Sequence, residues 1–120
     1  MSCILCEGLR KIEGNILLDA KELMDKIEKE SVIDKFVYEL PVLRARIDMT
    51  QDEISEIVGL SRQTYSAIET RKRKMTWSNY VALLFVFYYN PITRDAVEFA
   101  GVFPDELKEA MKTDHRRIEI

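Results

Sequence analysis

The chain has 120 residues and 47% of them are apolar, which supports a buried core and excludes a disordered chain. Its formal net charge is −3, so any binding of nucleic acid must rest on local charge and not on the total. The longest apolar run, Val81 to Tyr89, falls short of the ~18–20 residues that a membrane span needs, and no basic segment precedes a signal-type apolar stretch. A soluble cytoplasmic protein is expected.

Cys3 and Cys6 form a C-x-x-C pair. Such a pair reads as half a metal site, as a redox pair, or as two thiols with no role in the fold. A zinc site needs four ligands, and the sole histidine, His115, stands at the far end of the chain. Zinc would therefore close only across two chains. No metal and no cofactor are expected.

From Ile16 to about Phe36 the pattern is helical. Asn15 is a candidate N-cap, and Asp19 and Glu22 sit near the positive helix end. Ile16, Ala20, Leu23 and Ile27 form one apolar stripe. Ser31 is a point where this stretch could divide. A helix packed in its own domain and a dimer-forming helix both fit. Pro41 suits the first turn of a new helix, with Val42, Leu43 and Ile47 on its apolar side.

The stretch TQDEISEIVGLSRQTYSAIE, Thr50 to Glu69, reads as two short helices around a tight turn. Thr50 and Glu53 have capping-box spacing. Ile54, Ile57 and Val58 give the first helix an apolar face. Gly59 stands where a helix ends in the left-handed region, Leu60 plugs the turn, and Ser61 is a second N-cap. Tyr65 and Ile68 lie on the core side of the next helix. Arg62, Gln63, Ser66 and Ala67 are left on its outer face. A guanidinium fork, an amide, a hydroxyl and a methyl are the groups that read base edges in a major groove. Between residues 61 and 75, Arg62, Arg71, Lys72, Arg73 and Lys74 stand against Glu69 alone.

Thr76 is a candidate cap for the next helix. Trp77, Tyr80, Val81, Leu84, Phe85 and Tyr88 recur at helical spacing, and the other faces are also apolar, so burial all round is expected. Asn90-Pro91 ends that helix. A helix over Thr93 to Ala100 closed by Gly101 follows, and Pro104 starts another through Met111. The expected fold is all-α, a compact bundle of about five or six helices. The expected divisions are a helical extension over 1–38, a DNA-binding domain over 39–90, and a helical segment and tail over 91–120.

From Leu40 to roughly Tyr89 the sequence resembles the Cro and lambda-repressor-like, Xre-type helix-turn-helix family. The resemblance is carried by Leu43, Arg44, Thr50, Gln51, Ile54, Ile57, Gly59 and Leu60, then by Ser61, Thr64, Ile68, Glu69 and the basic run Lys72-Arg73-Lys74. Two positions depart from it: Arg71 stands where the family usually has Gly, and Met75 where it often has Pro. The resemblance implies a sequence-specific regulator of transcription, a homodimeric repressor or activator of double-stranded DNA. It implies base reading by Arg62, Gln63, Ser66 and Ala67. It also implies phosphate contacts from Gln51, Ser61, Thr64, Arg71, Lys72, Arg73 and Lys74. Arg44 has two readings, a phosphate contact or a salt bridge to Glu69. No constellation of an enzyme is present. The alternative is a protein-interaction module of the same fold, such as an antitoxin that binds a toxin partner.

Overall fold

The computed structural model describes residues 20–112 and Arg116. The expectations placed on Cys3, Cys6, Asn15 and His115 lie outside these residues. The described residues form seven helices and no strand: α1 (Ala20–Asp25), α2 (Lys29–Arg46), α3 (Gln51–Val58), α4 (Arg62–Glu69), α5 (Trp77–Tyr89), α6 (Pro91–Ala100) and α7 (Asp105–Lys112). The all-α expectation holds. The helices group into two compact units, one holding α1 and α7 and the other spanning Lys29–Phe103. In the first, Leu23, Leu107 and Ala110 are buried.

The break after α1 falls at Lys26–Glu28, ahead of Ser31. From Lys29 the chain then runs as one helix through Pro41. Pro41 was expected to open a new helix; it lies inside α2 instead. The boundary expected between residues 38 and 39 lies within the same helix. An internal proline costs a helix about 3 kcal/mol by removing one hydrogen bond and crowding the preceding turn. Packing supplies the compensation: Phe36, Val37, Leu40 and Leu43 fall on one face around Pro41, and all are buried.

Most ends of the second unit's helices have a local cause. Thr50, Ser61 and Thr76 all have extended backbone and accept from the amide three residues on. At Thr50 the box is complete, because the Thr50 amide donates to Glu53 Oε1 at 2.9 Å. That bond holds the Glu53 carboxyl below its ordinary range. Asn90 caps α6 through Ile92, so α6 begins at Pro91, two residues before the expected start. The positive-φ residues, Asp48, Gly59, Arg71 and Gly101, each stand just past a helix C-terminus. At three of them the next amide reaches back five residues: Met49 to Arg44, Leu60 to Ser55, and Lys72 to Ala67. This is the Schellman closure. A side chain at Gly59 would meet nothing within 4 Å, so its φ of +79° is the reason for glycine there.

The core of this unit is built from Phe36, Leu40, Leu43, Ile54, Tyr65, Ile68, Tyr80, Leu83, Leu84, Phe87, Val97 and Val102. Phe36 meets Tyr80 edge-on at 5.3 Å between ring centroids. The Tyr80 hydroxyl donates to the Val102 carbonyl at 2.5 Å, which ties α5 to the segment after α6. Two apolar expectations are corrected. Ile57 faces outward at 58% exposure, and Ser55 takes the inner position of α3. Its hydroxyl donates to Gln51 O, so its burial is satisfied. In α5, Phe85 and Tyr89 are exposed and stack on each other at 5.7 Å, so this helix is not buried all round.

Candidate nucleic-acid interface

α3 and α4 pack against each other around Ile54, Tyr65 and Ile68, and the Gly59 turn sets the reversal between them. With Tyr65 and Ile68 turned inward, the outer face of α4 follows from helical spacing. Arg62 and Gln63 are exposed, and Ser66 and Ala67 are half-buried one turn on. The structure places these four side chains around one shallow open groove. Gln51 of α3, Thr70 and Lys72 complete its lining. So the four expected base readers and two of the expected phosphate contacts share a surface.

Beneath that surface lies a polar clasp. Arg44 of α2 makes a two-point pair with Glu69 of α4, Nε to Oε2 at 2.9 Å and Nη2 to Oε1 at 2.7 Å. Its Nη1 donates to Met49 O at 2.9 Å, and Gln51 Nε2 donates to Glu69 Oε1 at 3.2 Å. Three helices are thereby joined at one carboxylate. Burial alone would raise the Glu69 pKa, but the bonds from Arg44 and Gln51 outweigh it and hold the carboxyl below its ordinary range. The Arg44 pKa is raised in return, chiefly by its bond to Glu69. Tyr65 packs beside this pair. Burial, then the neighbouring carboxylate, pushes its hydroxyl pKa up. Of the two readings of Arg44, the structure shows the salt bridge.

The other expected residues fall as follows. Ser61 donates its hydroxyl to Thr64 Oγ1 at 2.8 Å and accepts from the Thr64 amide at 3.0 Å, so both stand at the start of α4. Lys72, Arg73 and Lys74 are exposed on the loop after α4, and Met75 beneath them is buried. Arg71 has a different setting. Its φ is +66°, and its guanidinium bonds the Asp34 carboxylate at 2.8 Å and the Asp34 carbonyl at 3.1 Å. This explains the first departure from the family pattern. The position needs the left-handed region that Gly adopts freely, and here an arginine anchored to α2 occupies it.

Two acids went unread in the sequence. Asp34 holds the basic loop to α2 from 37 residues away, which no local pattern could show. Asp52 lies in the first turn of α3, its Oδ1 3.5 Å from Arg62 Nε. An acid in one helix's first turn and an arginine in the next helix's first turn were a usable signal. No helix among the described residues is long and apolar enough to cross a membrane.

Comparison with curated proteins and with solved structures returned no match. Residues 43–76 match the family model described as helix-turn-helix, a span that runs from the end of α2 to the cap of α5. The segment built on α3, the Gly59 turn and α4 is thus similar to the helix-turn-helix family, which supports the Xre and lambda-repressor-like resemblance over this part of the chain.

Proposed function

We propose that the chain is a cytoplasmic, sequence-specific regulator of transcription that binds double-stranded DNA as a homodimer. One observation carries the reading: Arg62, Gln63, Ser66 and Ala67 line a single groove with Gln51 and Lys72 on the open side of a capped helix. In this reading the first two turns of α4 enter the major groove. Arg62 pairs with guanine O6 and N7, and Gln63 bridges adenine N6 and N7. Ser66 meets a base edge, and Ala67 a thymine methyl.

Gln51, Ser61, Thr64, Lys72, Arg73 and Lys74 hold phosphate, which fixes position and affinity but carries no sequence. Arg44 and Arg71 serve by bracing the scaffold, since their guanidinium groups already engage Glu69 and Asp34. Homodimerisation is supported by reach. One helix reads only a few base pairs, and two related copies read half-sites about 34 Å apart. Exposed apolar surface such as the Phe85–Tyr89 pair is available to a second copy.

The test is selection of preferred sites from random duplexes, followed by salt titration on the selected and a scrambled duplex, with light scattering of the protein free and bound. Selective binding by two copies supports the reading. Binding without preference, or no binding, replaces it with the protein-interaction module. A monomer in both states removes the dimer.

A further inference from the structure

We infer that Asp52 is a positioning residue for base reading: its charge beside Arg62 Nε directs the guanidinium toward guanine and disfavours other contacts. The inference rests on the proposed DNA reading and adds a residue to it. Asp52 and Arg62 come from the first turns of α3 and α4, on opposite sides of the Gly59 turn, and their closest approach is 3.5 Å at Nε. Both side chains are open to solvent, at 72% and 64% exposure, so a duplex seated in the groove reaches the pair intact. Gln51, the neighbour of Asp52, lines the same groove as Arg62.

The chemistry follows from the geometry of the guanidinium. An unheld arginine samples many rotamers and meets a backbone phosphate as readily as a base. A carboxylate 3.5 Å from Nε, an ion pair without a hydrogen bond, draws that edge of the guanidinium away from a side-on approach. Nη1 and Nη2 remain as an end-on fork, which matches the paired acceptors O6 and N7 of guanine. Adenine presents a donor in place of O6, so the same fork meets it badly. The carboxylate also penalises error. If Arg62 swings to a phosphate, Asp52 is left unpaired beside a polyanion. Selectivity is then gained by weakening the wrong complexes as well as by fitting the right one. An exposed ion pair contributes little to folding, so the effect of Asp52 belongs in selectivity and not in stability.

The test is a double-mutant cycle on DNA. Wild type, Asp52→Ala, Arg62→Ala and the double variant are titrated on the selected duplex. Each is also titrated on a duplex changed at the base pair to which Arg62→Ala loses sensitivity, and on a scrambled duplex. Asp52→Ala is expected to cut the guanine preference by roughly three- to tenfold and to raise affinity for the scrambled duplex. In the Arg62→Ala background it should leave base preference unchanged. Asp52→Asn keeps the shape of the side chain and removes its charge, so it should lose the preference as alanine does; it carries the test if the alanine variant misfolds. Full preference in Asp52→Ala overturns the inference. So does an equal loss in the Arg62→Ala background, which would place the effect in α3 itself. A wild type with no base preference overturns the DNA reading, and this inference with it, and is recognised because no variant then differs in selectivity.

Discussion

Arg44 and Glu69, 25 residues apart in sequence, meet as a two-point ion pair that joins the end of α2 to the end of α4. Their side chains are 18% and 8% exposed, so neither charge is well hydrated if its partner is lost. Removing one partner of a fully buried pair costs about 3–5 kcal/mol, and the partial exposure of Arg44 lowers the expectation for Glu69→Ala to roughly 2–3 kcal/mol. The pH dependence has a definite sign. The folded Glu69 pKa lies below its ordinary value of 4.5, so the carboxylate's contribution is present above that value and is lost as pH falls through the depressed one. Urea melts at a series of pH values should show stability falling below the ordinary carboxylate range, with a shallower fall in Glu69→Gln. Equal slopes in the two proteins would remove Glu69 from the acid response.

Tyr65 offers a contrasting case at the same cluster. Its hydroxyl is buried beside the pair yet makes no hydrogen bond of normal geometry. Deleting a polar group that has no partner costs little, so Tyr65→Phe is expected to stay within about 1 kcal/mol of wild type. Thermal melts check this. A loss of several kcal/mol would mean that the hydroxyl bonds Glu69 in solution and belongs to the clasp.

At Arg71 two small effects oppose each other. The left-handed backbone costs an L-residue about 1–2 kcal/mol, and glycine avoids that cost. The bond to Asp34 lies between side chains that are 48% and 75% exposed, and such pairs contribute about 0–1 kcal/mol. Arg71→Gly should therefore leave the melting temperature unchanged or raise it. Because its guanidinium is bound to Asp34, the same substitution should leave the salt dependence of DNA binding close to wild type. A clearly destabilised variant would show that the anchoring of the basic loop outweighs the backbone strain.

How much could be read ahead of the structure depended on the range of the interaction. The caps at Thr50, Ser61 and Thr76 and the stops at Gly59 and Gly101 were legible, because each is a bond or a dihedral set within a few residues. The outer face of α4 was legible because helical spacing with Tyr65 and Ile68 inside leaves Arg62, Gln63, Ser66 and Ala67 outside. Pro41 misled because its local cost is offset by packing of Phe36, Leu40 and Leu43, which the α2 sequence does not reveal alone. Ile57 and Phe85 misled because apolar spacing says which residues could be buried and not which neighbours arrive to cover them. Arg71 bound to Asp34 is a long-range contact, and only the helix packing brings it about.

The functional reading stands or falls on whether α4 reads bases and the loop after it holds phosphate, and two substitutions separate these roles. Gln63 is exposed in the first turn of α4 and lines the groove, so its amide is free to form two bonds to an adenine edge. Gln63→Ala should cost about 1–3 kcal/mol on the selected duplex and relax selectivity at one base pair, while the salt dependence stays as in wild type. Lys72 lines the same groove from the loop, with its amide closing the helix end at Ala67 O. A point charge on a flexible stem neutralises phosphate without regard to sequence. Lys72→Ala should weaken selected and scrambled duplexes alike and reduce the magnitude of the slope of log affinity against log salt by about one. Titrations of both variants from low to physiological salt give the two readouts from one data set. A uniform loss in Gln63→Ala would move that residue to the phosphate set. A base-specific loss in Lys72→Ala would place the loop in the groove. Two variants indistinguishable from wild type would mean that the groove does not face DNA, and the search for a protein partner would begin at the same surface.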